Sequence, residues 1–260
     1  MKVVILCGGK GTRLREETEF RPKPMLPIGG RPILWHIMKI YAAHGFTDFV
    51  LCLGYKGAAI KDYFRNYLWN TSDVTLRLGA NGSEVFHNRQ DEEGWTVTLA
   101  ETGEETLTAG RIARVRKHLG DDEHFLLTYG DGVGDVNVRA GYECHLASGK
   151  ILTMTTVHPP GRFGEVSLAT GGGVASFNEK PQTEDGWING GFLCASTRLF
   201  EYLGDSDDML LEKQPMQRLA AEGQLNACQH TGFWQPMDTF HEFTLLNEMW
   251  DAGRAPWKVW

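Results

Sequence analysis

The residues best equipped for chemistry fall in a few short runs. The first is Gly8-Gly9-Lys10-Gly11-Thr12-Arg13-Leu14. Its glycines let main-chain N–H groups converge on one concavity, and Lys10, Thr12 and Arg13 add donors of three kinds, a set that suits phosphate oxygens. The spacing is neither Gly-x-Gly-x-x-Gly nor Gly-x-x-x-x-Gly-Lys-Ser/Thr, so the pattern alone leaves open a phosphate loop and an ordinary strand-to-helix turn. Lys23 stands between Pro22 and Pro24, which present its cation from a stiffened backbone. Asp131, between Gly130 and Gly132, reads either as a turn aspartate or as a carboxylate that contacts a ribose or holds Mg2+ against phosphates. Asp238 is a second isolated carboxylate among aromatic residues. Glu179-Lys180 is an acid–base pair, trivial if exposed. Asn189-Gly190-Gly191 suits either a hydroxylated ligand or a plain turn.

These residues need strands to carry them. Residues 3–7 form a β-branched, apolar run that breaks into glycines, the pattern of a buried parallel strand whose C-terminal end opens on a ligand site. Residues 49–53 and 124–129 repeat that pattern, and 151–157 and 192–196 add strands. Pro32 suits the first turn of a helix with Ile33, Leu34, Ile37, Met38, Ile40 and Tyr41 on its apolar face. A second helix is expected over 58–67. This alternation predicts a parallel sheet with right-handed crossovers. The prolines and glycines of 22–32 predict irregular, extended chain. Runs at 74–78, 84–87 and 96–100 read as a strand-rich excursion, and 102–110 as a loop too polar to bury unless something binds it. Over 111–119 a helix is expected with Ile112 and Val115 inward and Arg111, Arg114, Arg116 and Lys117 outward. Arg111, beside Gly110, stands apart from that solvated face. Further on, helices are expected over 138–149, 212–222 and 240–250, strands over 165–168, 174–177 and 224–230, and a packed Trp-rich tail over 254–260. His36 and His44 are expected in structural or surface roles. The fold class is α/β, Rossmann-like, with a mixed, mainly parallel sheet flanked by helices and small β-rich insertions, in a single domain over 1–260.

Composition narrows the function. With 260 residues, 42% hydrophobic and 23% charged, the chain can bury one large core, and two separate domains would be a tight fit. A net charge of −7 argues against a nucleic-acid-binding surface, so any phosphate site must be local. Cys7, Cys52, Cys144, Cys194 and Cys228 are odd in number, widely spaced and without a Cys-x-x-Cys pair, and are expected as buried reduced thiols. No apolar run approaches the roughly 18 residues of a membrane span, and residues 3–7 are too short for a signal peptide. A soluble, cytoplasmic protein without membrane or nucleic-acid partners is expected.

Together, Gly8-Gly-x-Gly-Thr-Arg-Leu14, Lys23-Pro24-Met25, Tyr129-Gly-Asp-Gly132, Phe177-x-Glu-Lys-Pro181 and Asn189-Gly190-Gly191 resemble the sugar-1-phosphate nucleotidyltransferases. More narrowly, Ile33-Leu-Trp-His-Ile-Met-Lys39, Pro159-Pro-Gly-Arg-Phe-Gly164 and Phe233-Trp-Gln-Pro-Met-Asp-Thr239 are similar to the cytidylyl-transferring members that act on glucose 1-phosphate. The resemblance implies the nucleotide-diphospho-sugar transferase fold, with CTP and glucose 1-phosphate as partners and Mg2+ as cofactor. It also implies a homo-oligomer, hexamers included. It places the main chain of Leu6, Gly8, Gly9 and Gly11, with Thr12, on the nucleotide, and Arg13 on the triphosphate. Lys23 would neutralise the α-phosphate and bridge toward the leaving group, which makes Lys23 and Arg13 the implied catalytic pair. Asp131 and Asp238 would coordinate Mg2+, with Asp131 also beside the nucleotide. Glu179 and Asn189 would fix sugar hydroxyls with Gly190 beside them, and Lys180 the sugar phosphate. Thr108, Gly110 and Arg111 match a nucleotide-contacting loop in which Ala109 stands where glycine is common. Two other readings remain at this point: the same reaction with UTP or dTTP, and a domain that only senses sugar nucleotides. The second predicts a loss among Arg13, Lys23, Asp131 and Asp238, and all four are present.

Overall fold

The computed structural model describes residues 1–11, 14, 18–80, 82–87, 94–159, 165–168, 170–171, 173–178, 186–204 and 206–260. Thr12, Arg13, Glu179, Lys180 and the segment 160–164 lie outside the described residues.

The chain enters as β1 (Lys2–Leu6), apolar on both faces as a strand covered above and below must be. Lys23–Met25 then forms one 3-10 turn, followed by a hairpin of β2 (Pro27–Ile28) and β3 (Arg31–Pro32), and α1 (Ile33–Ala43) starts directly after Pro32. The expectation of irregular chain over 22–32 is corrected here. Pro24 occupies a first-turn position that needs no N–H, and Gly29 and Gly30, at φ of 55° and 81°, close the hairpin with the left-handed pair that two-residue loops favour. Next come β4 (Asp48–Leu53), α2 (Gly57–Arg65) and α3 (Tyr67–Thr71). The strands β5 (Asp73–Arg77) and β6 (Ser83–His87) pair only with each other as the β-rich insertion. After β7 (Thr96–Glu101), α4 (Thr108–Val115) begins at Thr108 rather than at Arg111. The second half runs through β8 (His124–Tyr129), β9 (Gly132–Gly134), α5 (Val138–Ser148) and β10 (Leu152–Val157). A hairpin of β11 (Glu165–Leu168) and β12 (Val174–Asn178) precedes β13 (Ile188–Ser196), which takes Asn189 and Gly190 into the strand instead of a turn. The chain ends through α6 (Gln214–Ala221), β14 (Leu225–His230), β15 (Trp234–Pro236) and α7 (Phe240–Asp251).

Among the described residues one seven-stranded sheet runs in the order β14-β10-β13-β8-β1-β4-β7. The pairs β1 with β4, β1 with β8, β4 with β7 and β10 with β14 are parallel, and β13 runs antiparallel to β8 and β10. The period of two along each strand divides the core. Val3, Ile5, Phe49 and Leu51 pack with Ile37 and Ile40 of α1 on one face, while Val4, Leu6, Val50 and Cys52 pack with Ile112 and Val115 of α4 on the other. Cys7, Cys52 and Cys194 are buried thiols as expected, but Cys144 and Cys228 form a disulfide between α5 and β14. Their sequence separation of 84 carries no pairing signal, and only the packing of α5 against the β14 edge brings them together. No described helix is long and apolar enough to cross a membrane.

Candidate active site

The loops that follow β1, β7 and β8 open on a cavity of 440 Å³. Of the residues selected from sequence, Leu6, Gly8, Gly9, Gly11, Lys23, Thr108, Arg111, Asp131 and Asp238 line it. This is the C-terminal side of parallel strands, where loops are free to hold a ligand.

Arg111 lies beneath the glycine loop. It is 4% exposed, not outward as its place on a basic helix suggested. Nη2 donates to Gly8 O at 3.0 Å and Glu104 O at 3.1 Å, and Nη1 to Leu53 O at 3.0 Å, Thr102 Oγ1 at 2.9 Å and Gly103 O at 2.7 Å. Its donors are thus committed to the ends of three neighbouring strands rather than to the open cavity. Burial pulls its pKa down, yet a guanidinium stays charged near neutrality, so it leaves a fixed positive charge at the cavity floor. Gly8 is explained by the same contact, because a Cβ there would stand 2.1 Å from Arg111 Nη1. Gly9 has open space at that position, and Gly11, at φ +60°, lets the loop cross above Lys23. In the polar stretch 102–110, Thr102 and Thr106 are buried. Arg114 Nη1 donates to Thr102 O at 2.6 Å and Thr106 Oγ1 at 2.8 Å, which with the Arg111 contact satisfies both threonines. Across the mouth, Lys10 pairs with Glu105 at 2.7 Å.

Lys23 is 8% exposed, and its Nζ donates to Asp131 Oδ2 at 2.7 Å and Asp238 Oδ1 at 2.5 Å. The two carboxylates meet because β9 and β15 pair as a ribbon, with Gly132 opposite Pro236, and Met237 N donates to Asp131 O at 2.8 Å. Asp238 is presented just before the N-cap of α7. Glu242 accepts from Asp238 N at 2.6 Å and Thr239 N at 2.8 Å, and its own N–H donates to Thr239 Oγ1, a capping box. Burial opposes the charge on Lys23, but the two aspartates outweigh it and hold the ammonium above its ordinary pKa. Among the described residues no group of three or more His, Cys, Asp or Glu side chains is placed to hold a metal. Two hard carboxylate oxygens lining the 440 Å³ cavity are nonetheless the donor set Mg2+ takes when phosphates and water complete its shell.

Asp131 also borders a smaller recess of 60 Å³ with Tyr129, Asn189, Gly190 and Trp234. Asn189 Oδ1 accepts from Gly191 N at 2.9 Å, and Trp234 Nε1 donates to Gly190 O at 2.7 Å. Gly110 does not line the cavity, and a Cβ there would meet Thr106 Cγ2 at 2.7 Å and Ser206 O at 3.2 Å. Sequence reasoning missed Glu212. Its carboxylate accepts from Tyr129 Oη and, at 2.8 Å, from Thr108 Oγ1, so it ties the large cavity to the recess. Burial and this carboxylate push the Tyr129 hydroxyl up, keeping it a neutral donor. Tyr129 was legible as the residue before Gly130-Asp131, whereas nothing in its own neighbourhood marked Glu212.

Comparison with known proteins gives a consistent picture. Residues 2–244 match the family described as Nucleotidyl transferase. The glucose-1-phosphate cytidylyltransferase of Salmonella typhimurium is 50% identical over 260 residues, covering 100% of both chains. A Bacillus subtilis protein described as a probable glucose-1-phosphate cytidylyltransferase is 44% identical over the same full lengths. Among solved structures, HddC from Yersinia pseudotuberculosis complexed with GMP-PN superposes with a TM-score of 0.68 at 22% identity, covering 96% of this chain and 99% of that one. UDP-glucose pyrophosphorylase complexed with UDP-glucose gives 0.68 at 16% identity, covering 97% and 99%. At those identities the two structures speak for the fold.

Proposed function

We propose that this chain, which belongs to the nucleotidyl transferase family, transfers the cytidylyl group of CTP to α-D-glucose 1-phosphate, giving CDP-glucose and pyrophosphate. The observation that carries the reaction class is a buried lysine held between two carboxylates beside a glycine loop. The choice of substrates rests on full-length identity of 50% to a glucose-1-phosphate cytidylyltransferase.

A phosphate oxygen of the sugar attacks the α-phosphorus of CTP in line. The new oxygen–phosphorus bond forms as the bond to the β-phosphate oxygen breaks, and pyrophosphate takes the electron pair. The nucleophile is already an anion, so no general base is needed. The barrier is repulsion between two anionic reactants and charge growing on the leaving group, which positioning and fixed positive charge lower. In this reading Lys23 neutralises the α-phosphate, and the Gly8–Gly11 main chain holds the nucleotide over the charge of Arg111. Asn189 and Gly190 receive the sugar in the recess beyond Tyr129. Asp131 and Asp238 would hold Mg2+, which supplies neutralisation of phosphate charge when bound. Arg13, Thr12, Glu179 and Lys180 keep the roles that the family resemblance implies. Residues 1–260 act as one domain, a reading supported by the seven-stranded sheet beneath both cavities.

Pyrophosphate release across CTP, UTP, dTTP, ATP and GTP, each with glucose 1-phosphate and other sugar 1-phosphates, tests the proposal. CTP with glucose 1-phosphate should give the highest kcat/KM by at least about tenfold. A faster reaction with UTP or dTTP would replace the nucleotide, and no release with any pair would remove the reaction.

A further inference from the structure

The Lys23–Asp238 contact joins residues 215 positions apart, so something must set their separation. One helix touches both ends. At its start α7 carries Asp238 through the capping box of Thr239 and Glu242. Two turns further on, Asn247 reaches the β2–β3 hairpin, which follows Lys23 directly. Its Oδ1 accepts from Gly29 N at 3.1 Å, and its Nδ2 donates to Pro27 O at 3.1 Å and to Phe243 O of its own helix at 3.0 Å. Three residues beyond, Trp250 lies so close to the turn that a Cβ on Gly29 would stand 1.9 Å from Nε1. Against the Trp250 ring, with centroids 4.7 Å apart, His36 Nε2 bonds Ile28 O at 2.9 Å.

We propose that Asn247 is a positioning residue that sets the reach of Lys23 toward Asp238 and the reacting phosphate. The amide reads the hairpin as a template would, donating to one strand and accepting from the turn, with its own orientation fixed by Phe243 O. Between Pro27 and Lys23 the chain has little freedom to absorb a shift. Pro22, Pro24 and Pro27 fix their φ angles, and Met25 and Leu26 are buried. A displacement at Pro27 is therefore carried to the Lys23 backbone, while Asp238 keeps its place at the start of the same helix. Asn247 lines neither cavity and touches no group assigned to substrate.

The assignment rests on the proposed nucleotidyl transfer for its kinetic readout and on Lys23 itself for a second readout that needs no nucleotide. Asn247→Leu keeps the number and branching of side-chain heavy atoms and loses both hairpin bonds, and Asn247→Ala checks that result in a smaller side chain. With the best nucleotide of the panel, both variants should lose about tenfold or more in kcat while each KM stays within about twofold, because misplacing one group by a fraction of an ångström acts on the transition state. In the resting enzyme, acetic anhydride should acylate Lys23 several-fold faster than in the unsubstituted protein, normalised to Lys61 and read by mass spectrometry. A kcat within twofold of the unsubstituted enzyme in folded Asn247→Leu overturns the proposal, as does unchanged Lys23 acylation. If no nucleotide is turned over by the unsubstituted enzyme, the cytidylyl reading fails and the acylation result alone decides the role of Asn247.

Discussion

Lys23 is buried to 8% exposure between carboxylates at 2.7 and 2.5 Å, and each member of that trio depends on the others. A buried ammonium without partners would lose its proton, and two carboxylates this close without a cation would repel. Lys23→Ala is expected to lower kcat by about 10²–10³, the scale of removing one well-placed electrostatic group, with KM changed far less. Stopped-flow or steady-state pyrophosphate release reads this directly. Turnover near that of the unsubstituted enzyme would reduce Lys23 to a structural counter-ion. At this scale the sequence was informative about residue types and uninformative about partners. Lys23, Asp131 and Asp238 each stood out by local context, but the contacts that single out Glu212 and Asn247 are with residues about 80 to more than 200 positions away.

Among elements, the ends of β1, β4 and β7 are joined through one side chain. Arg111 takes carbonyls from Gly8, Leu53 and Gly103, so the glycine loop owes its height above the sheet to α4. Arg111→Met would remove the charged donor from all three carbonyls, of which Leu53 O keeps Thr102 N and Oγ1 and Gly8 O keeps Tyr55 N, at a cost of about 3 kcal/mol. For a chain of this size that corresponds to a fall in Tm of roughly 6–12 °C. The nucleotide KM should rise about tenfold as the loop loses its support. Calorimetry and nucleotide titration check both. A raised KM with unchanged Tm would instead make Arg111 an ordinary ligand. The helix was foreseen and its burial was not. A 3.6-residue period marks Ile112 and Val115 as inward, but it cannot show that a charged residue turns under a neighbouring loop whose glycines make room for it.

Across the whole molecule, the C-terminal tail packs its Trp257 and Trp260 rings against Trp250 and His36 beside the same hairpin. Trp257, fully buried, donates from Nε1 to His36 Nδ1 at 3.3 Å, while His36 Nε2 serves Ile28 O. Both ring nitrogens are used by the neutral imidazole, and burial brings its pKa down to about 4. His145, also buried, is brought down to about 4 by burial and then by His124. A histidine near 6.5 when unfolded and near 4 when folded contributes fully above pH 6.5 and loses that contribution as pH falls toward 4. For His36 this amounts to about 3 kcal/mol at most. Tm should therefore fall between pH 6.5 and 4, and the His36 ring resonances should not titrate between pH 7.5 and 5.5. A His36 midpoint near 6.5 by NMR would refute the neutral, buried ring.

By itself the sequence determined the α/β alternation, the strand ends on which ligands could sit, the charge that disfavours nucleic acid, and the glycine, lysine and carboxylate types that the chemistry needs. These follow from local causes: side-chain period, β-branching, proline and glycine backbone limits. The tertiary structure decided which carboxylates face Lys23, that Arg111 supports the loop from below, that Cys144 joins Cys228, and that α7 spans from Asp238 to the hairpin behind Lys23. Each of those joins residues far apart in the chain. Contacts of that kind arise from how strands and helices pack, and no local preference along the chain encodes them.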